Sequence, residues 1–175
     1  MIASMRCVAS FHYQDPINKL ITSIKTNPHA PELQQLSGLL AITIADRYGS
    51  TELPQIIVPV PLHWHKLTRR GFNQSDSIAR SPCQKLPGTA LRNDICYRRT
   101  YSPPQHLQGK HQRLRFMRNA FTVDKRINGQ SIAIVDDVVT TKATAISAAS
   151  SLIKAGAKSV DIWCIARTGW HIAAP

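Results

Sequence analysis

The sequence is short of acidic residues. It contains 10 Asp and Glu against 22 Lys and Arg, which gives a formal net charge of +12 over 175 residues. A domain with this imbalance attracts polyanions such as nucleic acids, phosphorylated metabolites or an anionic membrane surface. The alternative is a basic protein whose charge serves no partner. Because repulsion among like charges destabilises a compact state, the excess of basic residues indicates a function that uses the positive charge.

Long apolar runs and paired cysteines are also lacking. No run approaches the roughly 20 residues of a membrane-spanning helix, and the start "MIASMRCVASFHY" has no apolar signal core. No two cysteines lie at C-x-x-C spacing, so a four-cysteine zinc site is not indicated. These absences predict a cytoplasmic protein with reduced thiols, no membrane span and no zinc. The cysteines are Cys7, Cys83, Cys96 and Cys164.

Short apolar segments alternate with segments of helical periodicity, and no internal repeat or low-complexity linker separates them. Strands are predicted over 7–13, 55–60, 94–99, 131–137 and 158–167. Helices are predicted over 16–26, 31–49, 73–86 (interrupted by Pro82), 109–121 and 143–156. Continuous apolar strands between helices are typical of a parallel sheet that is covered on both faces. The sequence therefore predicts one α/β domain over residues 1–175, with a parallel sheet flanked by helices.

The stretch "IAIVDDVVTTKAT", residues 132–144, joins an apolar strand to two adjacent acids and a turn rich in hydroxyls. The following helix would present unpaired backbone N–H groups to an anion, and the threonines add hydroxyl donors. Carboxylates beside a phosphate are useful when they hold ribose hydroxyls or a shared Mg²⁺ ion. A sugar phosphate fits this pattern better than a nucleotide triphosphate. The alternative, solvated acids beside a threonine cap, does not explain an acid pair directly after a buried strand.

"IVDDVVTTKAT" resembles the phosphoribosyl-diphosphate (PRPP) motif of type I phosphoribosyltransferases. The resemblance implies that Asp136 and Asp137 contact the ribose hydroxyls of PRPP and share Mg²⁺ with it. Residues 140–144 would then wrap the 5′-phosphate. The further PRPP-binding residues implied in this way are Val139, Thr140, Thr141, Lys142, Ala143 and Thr144.

Two more segments resemble one branch of that class, the ComF family of competence proteins. They are "VPVPLHWHKLTRRGFNQSDSIAR", residues 58–80, and "RRTYSPPQHLQGKHQRLRFMRNAFTV", residues 98–123. The resemblance spans about residues 7–167 and implies a type I phosphoribosyltransferase-like core. It also implies a role in natural transformation, with single-stranded DNA and other competence proteins as partners. Members often carry an N-terminal cysteine-rich zinc module; this chain begins almost at the core, so we expect neither the module nor zinc.

Lys142 departs from the family pattern, which usually has glycine at this position. Glycine permits left-handed backbone and a close approach to phosphate. Lysine would cost about 1 kcal/mol there if its φ were positive. Its ammonium could offset this cost beside the phosphate, or the side chain could crowd the site, and the sequence leaves both possibilities open.

A basic loop follows the strand at 55–60. In type I phosphoribosyltransferases the corresponding loop holds the pyrophosphate of PRPP, and by position it covers residues 61–66 here. Guanidinium and ammonium groups suit phosphate oxygens. The H-x-H pair in this loop has no acid nearby and indicates a metal only weakly, while Asn73 is a candidate helix cap. The predicted pyrophosphate-binding residues are Leu62, His63, Lys66, Arg69 and Arg70.

A second basic stretch runs from residue 92 to 126, with nine Lys or Arg against two Asp and with Tyr97, Tyr101 and Phe116 interleaved. Cations with aromatic platforms suit single-stranded nucleic acid. The alternative is a solvated amphipathic helix with Leu114 and Met117 turned inward. The predicted nucleic-acid contacts are Arg98, Arg99, Lys110, Arg113, Arg115 and Arg118.

Three functions are compatible with these patterns. One is a PRPP-binding protein that handles single-stranded DNA. Another is an active phosphoribosyltransferase, in which metal-bound PRPP loses pyrophosphate from C1 as a nucleophile attacks and the protein supplies orientation and charge stabilisation. The last is a regulator that senses PRPP. No residue is indicated as a general base, and no acceptor substrate can be named.

Overall fold

The structure is a computed structural model, and it describes residues 5–98, 120–124, 127–140 and 142–169. The strands are β1 (Cys7–His12), β2 (Ile56–Pro59), β3 (Ala90–Leu91), β4 (Cys96–Arg98), β5 (Phe121–Val123), β6 (Ser131–Val139) and β7 (Ser159–Arg167). The helices are α1 (Ile17–Thr26), α2 (Pro31–Tyr48), α3 (Trp64–Arg70), α4 (Gln74–Lys85) and α5 (Lys142–Lys154). Elements are numbered within the described residues.

Five strands form the main sheet, in the order β1-β7-β6-β2-β3. Every neighbouring pair is parallel. The central strands β6 and β7 have nine residues each and are apolar through most of their length. Apolar residues on both faces are what a parallel sheet needs, because its crossover helices cover both sides. The predicted parallel sheet flanked by helices is confirmed.

Two apolar clusters cover the two faces of the sheet, and the pleat distributes neighbouring residues between them. Ile57 of β2 packs into the cluster built with α1, α2 and α4, whereas Ile56 and Val58 pack into the cluster built with α5. The first cluster includes Ile21, Leu40, Ile78, Val135 and Trp163. The second includes Ile132, Ile134, Ala148, Leu152 and Val160.

A separate two-stranded antiparallel ribbon joins β4 to β5. Cys96 and Phe121 from this ribbon are buried in the α5-side cluster. The ribbon was not predicted: residues 94–99 were expected as a strand without this partner, and Phe121 was placed at the end of a helix. Residues 109–119 of that helix prediction lie outside the described residues.

The structure corrects the predicted boundaries at three places that bear on function. Strand β6 continues two residues further, through Val139, so the acids do not end the strand as predicted. Pro82 does not interrupt α4, because the helix continues through it to Lys85. The loop predicted over 61–66 is shorter than expected, because residues 64–70 form the short helix α3. Among the described residues, none of the helices has the length and apolar character needed to cross a bilayer.

Candidate functional site

The two acids lie near the carboxyl end of β6, next to the exit of β2. Val60 donates its backbone N–H to Val135 O at 2.8 Å, which extends the pairing of the two strands up to the acid pair. Successive side chains of a strand point to opposite faces, so Asp136 and Asp137 have different surroundings. Ligands of parallel α/β sheets bind at this edge. This contact brings the segments 58–74 and 135–144 together at the same edge of the sheet.

Asp136 is held by the first turn of α4. Ser75 Oγ donates to Asp136 Oδ1 at 3.1 Å, and the backbone N–H of Asp137 donates to the same oxygen at 2.9 Å. Asn73 caps α4 by accepting from Ser75 N–H and donates from Nδ2 to Val60 O. The block "FNQS" therefore connects the exit of β2 to the acid pair. Burial, followed by repulsion from Asp137, raises the pKa of Asp136 to about 7.

Asp137 is paired with a lysine from α1. Its side chain is only 7% exposed, and its Oδ2 lies 3.0 Å from Lys25 Nζ, whose side chain is 32% exposed. Val138 N–H donates to Oδ1 at 2.7 Å. Oδ2 accepts no hydrogen bond from the described residues, so the lysine contact is an ion pair without hydrogen-bond geometry. A buried carboxylate oxygen that faces only an ammonium group has the chemistry of a cation site, and oxygen ligands of this kind suit Mg²⁺.

The turn after β6 differs from the predicted cradle in one respect. Val139 is a buried strand residue, so its side chain belongs to the core, and its carbonyl accepts from Thr168 N–H at 3.1 Å. Thr140 is exposed, and its carbonyl accepts a hydrogen bond from Thr168 Oγ1 at 2.9 Å. Thr141 lies outside the described residues. Ala143 and Thr144 are half-buried in the first turn of α5.

Helix α5 begins at Lys142, one residue earlier than predicted. Glycine is the only residue type with positive φ among the residues that the structure describes. The left-handed backbone considered for Lys142 is therefore not adopted, and the conformational penalty attached to it does not arise. Lysine is compatible with the backbone at a place where the family usually has glycine.

The exit of β2 leads through His63 into α3. His63 is buried and acts as the cap of this helix, because its Nδ1 accepts from His65 N–H at 3.2 Å. Burial, with a smaller effect from Arg98, lowers the pKa of His63 and favours the neutral imidazole that can accept. Leu62 is half-buried. His63 was predicted to bind pyrophosphate; the structure gives its imidazole a capping contact.

The predicted cations of this segment lie together. Lys66, Arg69 and Arg70 line a cavity of about 390 Å³ with Lys25 and Thr26 from the end of α1. Lys25 thus joins this basic cavity to the acid pair. No sequence pattern marked Lys25, since its place depends on how α1 packs into the apolar cluster on this face of the sheet.

Arg98 interacts electrostatically with Asp136, which sequence analysis did not anticipate. Its guanidinium lies 5.6 Å from the centre of the Phe121 ring, and its buried Nε donates no hydrogen bond to the described residues. Burial lowers the pKa of Arg98, an effect that the Asp136 carboxylate partly offsets. Its charge therefore acts on the site. The other predicted nucleic-acid contacts, Arg99, Lys110, Arg113, Arg115 and Arg118, lie outside the described residues.

These features define a class of protein: an α/β domain whose parallel sheet presents an acid pair and a basic cavity at its carboxyl edge. No family model matches the chain. It is similar to the DNA utilization protein YhgH of Escherichia coli, with 34% identity over 165 residues that cover 93% of this chain and 72% of that protein. It is also similar to competence protein F of Haemophilus influenzae, with 30% identity over 161 residues that cover 89% and 70%. The chain belongs to the family of competence protein F and YhgH, as the sequence resemblance indicated.

Solved structures with some likeness to this chain include hypoxanthine phosphoribosyl transferase of Trypanosoma cruzi. The identity is 17%, the TM-score is 0.49, and the match covers 82% of this chain and 68% of that chain. Purine phosphoribosyltransferase of Pyrococcus horikoshii matches with 17% identity and a TM-score of 0.44, over 98% of this chain and 84% of that chain.

Proposed function

We propose that the protein binds PRPP together with Mg²⁺ at the acid pair of β6 and assists in the handling of single-stranded DNA. The observation that carries the PRPP proposal is the pair itself. Two adjacent carboxylates lie at the carboxyl edge of a parallel sheet, and one buried oxygen, Asp137 Oδ2, forms an ion pair with Lys25 but accepts no hydrogen bond from the described residues. A ligand that brings its own cation and hydroxyl groups would satisfy both acids.

In this proposal each part of the site contacts one part of PRPP. Asp136 and Asp137 hold the ribose hydroxyls and the shared Mg²⁺, whose charge helps to neutralise the pyrophosphate. The hydroxyls and backbone N–H groups from Thr140 into the start of α5 hold the 5′-phosphate. The basic cavity receives the pyrophosphate, which suits its cations. Lys25 must leave Asp137 when Mg²⁺ binds, and the cavity that it already lines offers it an anion.

The names of the relatives support the DNA part of the proposal. They connect members of the family with competence and with DNA utilization. The net charge of +12 supports binding to a polyanion. Other competence proteins as partners, a cytoplasmic location and the absence of zinc stay predictions.

Phosphoribosyl transfer is the alternative function, and the basic cavity favours it. In that reaction the bond from C1 to the pyrophosphate oxygen breaks as a bond from C1 to the nucleophile forms. Cations beside the leaving group stabilise the charge that develops there. In this alternative, Lys66, Arg69 and Arg70 would supply those cations, and Lys25 connects their cavity to Asp137.

The test is calorimetric titration of PRPP with Mg²⁺ into the wild type and into Asp136→Asn with Asp137→Asn. We expect the double variant to lose at least about a hundredfold in affinity, since both charged ligands of the cation are removed. Asp46→Asn with Glu52→Gln removes two exposed acids instead and is the control for charge. Equal affinity in the wild type and the site variant would contradict the assignment. Production of pyrophosphate with candidate nucleophiles would distinguish the enzyme from the binding protein.

A further inference from the structure

We propose that single-stranded DNA binds across α3, with Trp64 as the platform on which a base stacks and the adjacent basic cavity as the site of its phosphates. The inference rests on the proposed function for its DNA partner. It adds a surface that sequence analysis did not predict, because the DNA contacts were assigned to the stretch from Arg98 to Arg118.

Trp64 is exposed in a way that the fold does not explain. Its side chain is 63% exposed, the largest fraction among the large apolar residues that the structure describes as exposed. Tryptophan is on average highly buried, so a ring left in water indicates a partner. Leu67, one turn later in α3, is exposed as well. Trp64 and Leu67 therefore form a small apolar face on a short helix.

The Trp64 ring is supported by its neighbours. Its centroid lies 5.6 Å from that of His63 and 5.2 Å from that of His65. His63 is buried and caps the helix, so its ring holds one side of this group of three rings in a fixed position. An exposed ring backed by a fixed neighbour loses little freedom when it stacks on a base, which suits a binding platform.

The cations of the basic cavity lie on the adjacent side of the same helix. At 100° per residue, Lys66 and Arg70 occupy a side of α3 that borders the Trp64–Leu67 face. They line the cavity together with Arg69 and Lys25. Residues 61–73 contain no acid. Since α3 is only about 10 Å long, a stacked base and its neighbouring phosphates can contact both sides of it.

This combination fits single-stranded nucleic acid better than its alternatives. A pyrophosphate group needs the cations but leaves Trp64 without a role. Duplex DNA offers phosphates, but its bases are stacked on each other and are not available to an exposed ring. Single-stranded nucleic acid offers unstacked bases and phosphates at once, and proteins bind it with aromatic platforms in a basic groove.

The test uses the full chain and fluorescence anisotropy of labelled oligodeoxythymidylate, longer than a site of about 4–16 nucleotides. Trp64→Ala should weaken binding by about tenfold or more and leave the salt dependence unchanged, since no phosphate contact is lost. Trp64→Phe, which keeps a ring, should lose less. Arg69→Ala with Arg70→Ala should lower both the affinity and the slope against salt.

Two matched variants control for exposure and for charge. Ile42→Ala removes an apolar side chain of α2 that is 62% exposed, and Lys158→Ala removes an exposed cation just before β7, at the opposite edge of the sheet. Both should bind DNA as the wild type does. If Trp64→Ala binds as tightly as Ile42→Ala, or if duplex DNA binds the wild type as well as the single strand does, the inference is wrong.

The failure of this inference can be told apart from that of the proposed function. If the wild type binds no single-stranded DNA at low salt, the DNA part of the proposed function fails and the inference fails with it. If the wild type binds DNA and Trp64→Ala has no effect, only the inference fails. The PRPP proposal is measured separately and without DNA, because the pyrophosphate and the DNA phosphates would compete for the same basic cavity. In that measurement Trp64→Ala should bind PRPP with Mg²⁺ as the wild type does.

Discussion

The acid pair carries buried or half-buried negative charge, whereas α3 carries exposed positive charge. At the acid pair, each buried or half-buried carboxylate contacts a residue from another element, Ser75 for Asp136 and Lys25 for Asp137. On α3, Lys66 and Arg69 are exposed and close to each other in sequence. A buried charge is costly unless it is paired, whereas an exposed charge costs little. The first region is therefore organised by tertiary packing, and the second can be recognised from its composition.

The two regions differ in what a ligand must displace. A cation that enters the acid pair replaces an existing contact between Lys25 and Asp137. An anion that binds at α3 meets groups that are already solvated. Affinity at the acid pair should therefore depend on protonation and on internal competition, while affinity at α3 should depend mainly on ionic strength.

The largest effect on stability in this comparison is expected for Lys25→Met. It leaves Asp137 buried without its charge partner and should lower the free energy of unfolding by about 1–3 kcal/mol, less than for a fully buried pair because Lys25 is partly exposed. Urea unfolding of the variant and the wild type measures this difference in free energy. Mg²⁺ should restore part of the loss by supplying another cation.

The control is Lys19→Met in the same helix. Lys19 forms an exposed ion pair with Asp15 at 3.1 Å, and its loss should change the free energy of unfolding by less than about 0.5 kcal/mol. If the two variants are equally stable, the Lys25–Asp137 pair contributes nothing beyond a surface contact.

An effect of about tenfold is expected from pH. With a pKa of about 7, the ionised fraction of Asp136 rises roughly tenfold between about pH 6 and pH 8. The affinity for PRPP with Mg²⁺ should rise with it. Without ligand the sign is reversed: because folding raises this pKa above its ordinary value, stability is highest at low pH and falls as pH rises through about 7.

Calorimetry at several pH values tests whether PRPP affinity rises with pH. Urea unfolding at the same pH values tests whether stability without ligand falls. Asp136→Asn should remove the pH dependence of stability in this range. A flat pH profile of PRPP affinity in the wild type would mean that Asp136 is already ionised at pH 6 or is not a ligand contact.

The smallest effect is expected for Ser75→Ala. Asp136 loses a hydroxyl donor that stabilises its charged form, so its pKa should rise further and PRPP affinity at pH 7 should fall by about two- to fivefold. The affinity should recover as the pH is raised. Ser77→Ala, two residues later in α4, is the matched control and should bind PRPP as the wild type does. A loss that persists at high pH would show that Ser75 acts on the ligand in some other way.

Local sequence predicted much of what the structure contains. The apolar runs of β6 and β7, the proline at the start of α2 and the cap at Asn73 are local features, and each is present. The acid pair was recognised because two carboxylates directly after an apolar run are unusual at any place in a chain. Residues of α3 were recognised as basic, but their helix was missed because seven residues are too few for a clear period.

What only the tertiary structure decided is which side chains surround the acids and which remain in water. Lys25, Ser75 and Arg98 come from α1, α4 and β4, and no spacing in the sequence relates them to Asp136 and Asp137. The exposure of the apolar Trp64 depends on how the surrounding elements pack, which the local sequence does not show. Sequence determines the chemical groups and the periodicity of each element, because these depend on residues a few positions apart. Contacts, burial and the pKa of Asp136 depend on the distances between elements, which exist only once the sheet has assembled.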